Sequence, residues 1–253
     1  SQILILPTNT GNIFTMLSLI KILAEIIDRR EPEVQCTVIE TKGSTPLKSG
    51  ARMLVLTDGS IHGTIGGGNV EKLAIADALK SLQLNHPEIR EYNLLQNEMC
   101  CGGAMKLFFE PIQRTKQLLI FGAGHVGAAI AGFAQSLNFK TVLIDERSDI
   151  LNKLNFLSTD KKLMHHNEAF EVLNFDTDTY IVICTHLHEY DREILAYCLN
   201  QPNAYLGMIG SKRKVMVTRK RFMLQEITTK ELLDKVDMPM GFDIGQNSPA
   251  EIA

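Results

Sequence analysis

Apolar residues recur at helical spacing from Phe14 to Arg30, FTMLSLIKILAEIIDRR, and the run closes on two basic residues, as a helix C-terminus favours. A helix is predicted there. Val34 to Thr41, VQCTVIET, then reads as a strand, while Arg52 to Thr57 and Ser60 to Thr64 flank Asp58-Gly59, a dipeptide suited to a tight hairpin. Three successive glycines, Gly66, Gly67 and Gly68, feed an amphipathic stretch from Asn69 to Leu82. Ala104 to Glu110 reads as a further strand before Pro111. These segments predict an α+β domain over residues 1–113 with a small antiparallel sheet.

Past the polar bridge QRTKQ, short apolar runs alternate with helical segments, which indicates a parallel sheet with crossover helices. Strands are predicted at Leu118 to Phe121, Lys140 to Asp145, Lys161 to Met164, Thr179 to Thr185 and Ala204 to Ile209. Helices are predicted to begin near His125, Tyr190 and Ser211. Residues 114–253 thus read as a Rossmann-like, doubly wound domain, and the chain as a whole as α/β. No internal repeat or low-complexity segment interrupts it.

With 253 residues, 45% of them hydrophobic, the chain can bury a sizeable core. Its 26 basic and 29 acidic residues leave a formal net charge of −3, so no basic field recruits nucleic acid or anionic lipid, and an anionic ligand must be held locally. No apolar run approaches the ~20 residues that span a bilayer, and SQILILPTNTG lacks the marks of a signal peptide. A cytoplasmic location is expected. Cys36, Cys100, Cys101, Cys184 and Cys198 form an odd set without CxxC spacing, which disfavours a disulfide framework and a four-cysteine zinc site.

LLIFGAGHVG places Gly122, Gly124 and Gly127 after a strand and at the opening of a helix, the spacing by which backbone amides approach a pyrophosphate. Asp145, at the end of the next strand, suits a carboxylate accepting from ribose hydroxyls, and His125 inside the turn either faces a ligand or simply starts the helix. The same glycines also serve plain helix–strand packing. KGSTPLKSGARMLV gathers Gly43, Ser44, Thr45, Gly50 and Arg52, either an anion loop or an ordinary connection. GTIGGGNVE is costly in chain entropy unless its backbone needs unusual torsions or close approach to a partner.

EMCCGGAM sets two thiols beside Gly102 and Gly103; a thiol among free amides has a lowered pKa and binds soft metals, whereas buried cysteines are structural. THLHEYD puts His186, His188 and Asp191 just past a strand, where they bind a metal, contact a ligand or cap a helix. GMIGSKRK starts a helix with Ser211, Lys212, Arg213 and Lys214, cations that oppose the helix dipole and suit either an anionic partner or solvent.

In chain order, GSTPxxxGARMLV, GTIGGGxVE, CCGG with FFEP, FGAGHVG, THxHEYD, GMIGSKRK and GFDIGQNSPAEIA resemble the xanthine dehydrogenase accessory factor family, XdhC/CoxI, over residues 36 to 253. The resemblance implies an N-terminal accessory domain and a Rossmann-like C-terminal domain, in a homodimer. Such proteins bind molybdenum cofactor, protect it, promote its sulfuration with a cysteine desulfurase, and deliver it to xanthine dehydrogenase or a related molybdenum hydroxylase. On that reading Arg52, Gly66, Gly67, Gly68, Asn69, Cys101 and Gly102 surround molybdopterin in an interdomain cleft, with Cys101 on the molybdenum. Gly122, Gly124, His125, Gly127, Asp145, His186, His188, Ser211 and Lys212 hold NAD(P) or another nucleotide.

Many members carry Cys where this chain has Asn69, and Asn offers no thiolate. The family's PxEIA ordinarily opens a helix, so the chain is expected to continue beyond Ala253. The competing reading is an NAD(P)-dependent oxidoreductase with Asp145 on the ribose and His186 or His188 as proton donor.

Overall fold

The computed structural model describes residues 16–94, 102–242 and 248–252. The chain divides into two compact units, Ser1–Arg114 and Thr115–Ala253.

The first unit runs α1 (Met16–Arg29), β1 (Glu33–Lys42), β2 (Arg52–Leu56), β3 (Ile61–Gly63), α2 (Gly68–Leu84), β4 (Glu88–Asn93) and β5 (Ala104–Ile112). Its strands form an antiparallel sheet in the order β3-β2-β1-β5-β4. Alternation decides the faces: Val34, Cys36 and Val38 of β1 and Met105, Leu107 and Phe109 of β5 pack with Val70, Ala74 and Ala78 of α2. Leu54 of β2 instead meets Leu19 and Ile26 of α1.

The hairpin between β2 and β3 differs from the expected two-residue turn. The Gly59 amide donates to Leu56 O at 3.0 Å and the Leu56 amide to Ser60 O at 2.9 Å, which closes a three-residue loop with Gly59 at φ 81°. β4 carries no predicted-strand signal because EIREYN alternates charge rather than apolar residues, and only Tyr92 is buried. It is an edge strand fastened by side chains: Arg90 and the Tyr92 hydroxyl donate to Asp77 at 2.6 and 2.7 Å.

The second unit runs β6 (Gln117–Phe121), α3 (His125–Ala134), β7 (Lys140–Asp145), α4 (Ser148–Leu151), β8 (Thr159–Leu163), α5 (His166–Val172), β9 (Thr179–Ile183), α6 (His188–Cys198), β10 (Tyr205–Met208), α7 (Lys212–Leu224), α8 (Lys230–Leu233) and α9 (Pro249–Ile252). Its strands are all parallel in the order β10-β9-β6-β7-β8, so the winding reverses between β6 and β9. Both faces are covered. Leu119, Phe121, Ile144, Ile181 and Ile183 pack with Ala169, Ile194 and Val215 of α5, α6 and α7, while Leu118, Ile120, Leu143 and Val182 meet Ile130 and Ala134 of α3. Two-sided burial is why these strands read as unbroken apolar runs. Among the described residues no helix is long and apolar enough to cross a membrane.

Candidate functional site

In a doubly wound sheet, ligands gather beyond the carboxyl ends of the strands where the winding reverses. Here that is the end of β6, where the three glycines of the turn prove unequal. Gly122 has φ +110°, and a Cβ on it would stand 2.4 Å from Cys184 O; a Cβ on Gly127 would stand 1.9 Å from Gly122 O. These two let α3 lie against the strands. A Cβ on Gly124 would meet nothing within 4 Å among the described residues, and Gly124 caps α3 without a side-chain hydrogen bond. The turn therefore leaves room beside uncapped first-turn amides, which is what a phosphate requires. His125 is the first residue of α3 and is exposed.

Asp145 stands at the end of β7, as the sequence places it, but its carboxylate is occupied. Oδ2 accepts from the Ala123 amide at 2.7 Å and from Arg147 Nη2 at 2.7 Å; Oδ1 accepts from the Arg147 amide at 3.0 Å and Nε at 2.9 Å. Burial raises its pKa, but the Arg147 side chain with the Ala123 and Arg147 amides outweighs this and holds the carboxyl below its ordinary range. Asp145 thus anchors the glycine turn, and a ribose diol must displace Arg147 to reach it.

A narrow crevice, open to solvent, lies beside the turn, lined by Gly122, Asp145, Glu146, His166, His186 and Tyr190 with an apolar wall that includes Ile144 and Met164. Sequence reasoning missed its imidazole cluster because α5, whose start supplies it, is a seven-residue helix with weak periodicity. His165 caps α5 and its ring lies 4.0 Å from that of His166, which lies 4.8 Å from Tyr190; His186 meets Tyr190 edge-on at 5.8 Å. His166 Nε2 is 2.7 Å from Glu193 Oε2. Burial nonetheless keeps the His166 pKa below its usual value, against the pull of Glu193. Burial and the nearby Glu146 carboxylate push the Tyr190 phenol upward.

The other candidates of this unit separate. His188 starts α6 with its side chain 72% exposed and Nδ1 3.7 Å from Asp191, whereas Asp191 is fully buried. Asp191 does not cap α6: it accepts from the Thr185 amide and hydroxyl at 3.0 and 2.8 Å and pairs with Lys214, which also donates to Ile209 O at 2.7 Å. One cation of the KRK run is thereby turned inward. Ser211 caps α7 by accepting from the Lys214 amide at 3.2 Å, and Lys212 is exposed. Among the described residues no group of three or more His, Cys, Asp or Glu is arranged to hold a metal ion.

In the first unit, the loops rich in glycine assemble at one end of the sheet. A Cβ on Gly43 would lie 3.3 Å from Gly103 Cα, and one on Gly66 would lie 2.4 Å from Pro46 Cβ, so the 43–50 loop touches both of the others. Gly66, Gly67 and Gly68 all take positive φ, at 127°, 73° and 66°, which explains the triple glycine. Part of what their amides face is internal: Glu71 Oε2 accepts from Ile65 and Gly67 amides at 3.1 and 3.2 Å and from the Thr64 hydroxyl at 2.5 Å. Asn69 is the second residue of α2 and is exposed. Arg52 opens β2 with a buried Nε that has no hydrogen-bond partner among the described residues.

Cys101 and its neighbour Cys100 lie outside the described residues, and Gly102, exposed, follows directly. Burial pushes the Cys36, Cys184 and Cys198 thiols up to about 12, so these three are packing residues at neutral pH.

Residues 118–253 match the family model of the XdhC Rossmann domain, and residues 26–93 match that of the XdhC and CoxI family. The uncharacterized protein YqeB of Escherichia coli (strain K12) is 34% identical over 239 residues, 91% of this chain and 43% of YqeB. A protein of Bacillus subtilis (strain 168) described as a probable subunit of xanthine dehydrogenase is 25% identical over 148 residues, 58% of this chain and 42% of that protein. The chain spans less than half the length of these curated relatives. The crystal structure of a xanthine dehydrogenase from Bacillus halodurans aligns with 92% of this chain and 91% of its own, at 22% identity and a TM-score of 0.47.

Proposed function

The chain belongs to the XdhC and CoxI family, and from that membership we propose that it serves the maturation of xanthine dehydrogenase or a related molybdenum hydroxylase by binding molybdenum cofactor and passing it on. One observation carries the reading to particular residues: Arg52, with its unused buried donor, stands at the sheet end where the glycine loops meet. A guanidinium with donors to spare suits the phosphate of molybdopterin. Gly67, whose missing Cβ would meet nothing within 4 Å among the described residues, leaves room for close backbone approach.

Cys101 is the thiol offered to molybdenum, since the three described cysteines are held protonated, and Asn69 contributes an amide where many members carry a thiol. The cofactor, when bound, supplies the molybdenum centre; the chain binds, orients and shields it. Sulfuration with a cysteine desulfurase and assembly as a homodimer belong to the same reading. The glycine turn of the second unit binds the phosphate of a nucleotide, either NAD(P) or the nucleotide half of a dinucleotide form of the cofactor.

Anaerobic equilibrium binding of molybdenum cofactor to the purified protein tests this. Stoichiometric binding is expected, weakened at least ~10-fold, or about 1.4 kcal/mol, in Arg52→Ala and in Cys101→Ala. Hydride transfer from NADH or NADPH without affinity for the cofactor would replace the reading with an oxidoreductase.

A further inference from the structure

The pairing of Lys214 with Asp191 accounts for only one cation of α7. This helix, KRKVMVTRKRFML, is rich in Lys and Arg and holds no acidic residue, in a chain whose formal net charge is −3. Lys212 and Arg213 stand in its first turn, where positive charge works against the helix dipole. Val215, Thr218 and Phe222 are buried, which fixes the face turned to the sheet. The helical period then sets Arg213, Val217, Lys220 and Leu224 one after another along the opposite face, with Met216 and Met223 beside them. Leu224 is 74% exposed and Met216 64%, and Val217 and Met223 are exposed as well.

Arg219 pairs with Asp234 at 2.7 Å, but among the described residues Arg213 and Lys220 have no carboxylate partner. The line of exposed apolar carbon is thus interrupted by cations that nothing in the chain neutralises. A helix that lies on an anionic bilayer keeps its charged and apolar side chains on separate faces and places Trp or Phe in the lipid. Here the two kinds alternate along one line, and the one aromatic of α7, Phe222, is buried. Interleaved anchors of this sort suit contact with a second helix, and the two methionines adapt to its side chains.

We propose that the outer face of α7 docks an acidic amphipathic helix of a protein partner. Val217, Leu224, Met216 and Met223 meet the partner's apolar stripe, and Arg213 and Lys220 meet carboxylates that flank it. None of these side chains belongs to the proposed cofactor or nucleotide sites.

The probe is a fluorescein-labelled synthetic helix of about 20 residues, leucine along one stripe and glutamate on both sides of it, titrated with the purified chain by fluorescence anisotropy. Binding is expected, and raised salt should weaken it. Arg213→Glu combined with Lys220→Glu should cost at least ~10-fold in affinity, and Met216→Ser combined with Leu224→Ser at least ~3-fold. Arg213→Glu sets an acid where the helix dipole favours one, so its effect is not loss of the helix; circular dichroism verifies that each variant folds. The same charge change at Lys153 and Lys162, on the β8 side of the sheet, should leave affinity within ~2-fold. No binding of the probe, equal loss in that control, equal affinity for a peptide with lysine in place of glutamate, or indifference to the Met216 and Leu224 changes overturns the proposal. Sedimentation with vesicles of equal parts phosphatidylcholine and phosphatidylserine, without affinity for the acidic peptide, also overturns it and assigns the face to a lipid surface.

Discussion

Residues of one type play opposite parts in this chain, and their surroundings decide which. Gly122 and Gly127 are required by backbone atoms that a Cβ would strike, whereas Gly124 keeps space open. Glu71 satisfies a loop; Glu33, fully buried at the start of β1, has neither oxygen hydrogen-bonded among the described residues. Burial, with the charge of Glu31 beside it, raises the Glu33 pKa from 4.5 to about 7. The acid is therefore easier to protonate folded than unfolded, so its contribution to stability is full below pH 4.5 and is lost as pH rises toward 7. The total is ~3 kcal/mol from the size of the shift. Glu33→Gln should remove that decline, as read from urea midpoints between pH 4.5 and 8; an unchanged slope would assign it to other groups.

At the scale of elements, the join between α6 and α7 depends on a buried ion pair. Asp191 is fully buried, Lys214 is 11% exposed, and both also hydrogen-bond backbone or hydroxyl groups at the ends of β9 and β10. Lys214→Met leaves a buried carboxylate short of its cation and should cost ~3–5 kcal/mol. The double variant Asp191→Asn with Lys214→Met should recover part of the loss, and a double-mutant cycle by thermal unfolding measures how much. A Lys214→Met cost within ~0.5 kcal/mol of zero would mean that the pair is solvated. The same interactions account for a basic residue in the first turn of α7, where cations ordinarily oppose the helix dipole.

Over the whole molecule, each unit has hydrophobic clusters of its own among the described residues. Phe109 is fully buried against α2 in the first, and Leu119 fully buried beneath α5 to α7 in the second. Phe109→Ala should cost ~3–5 kcal/mol and Leu119→Ala ~2–5 kcal/mol. Native-state hydrogen exchange should place the first loss in the amides of β1, β5 and α2, and the second in those of β6, β7 and β9. Equal loss across both units in either variant would indicate that the two units unfold as one.

The strands of the parallel sheet, the change of pattern after QRTKQ and the glycine turn were legible in the sequence. Hydrophobic period and glycine placement are local properties, and local chain geometry follows from them. β4 was not, because an edge strand of alternating charge is defined by its partner β5 and by Asp77. Nor was α5, too short for its period to stand out. Site chemistry depended still more on partners brought from a distance. Only the folded chain sets Asp145 against Ala123, 22 residues away, His166 against Glu193, 27 away, and Lys214 against Asp191, 23 away. A carboxylate's identity is written in the sequence, but whether it is free to meet a ligand depends on which donors packing brings to it first.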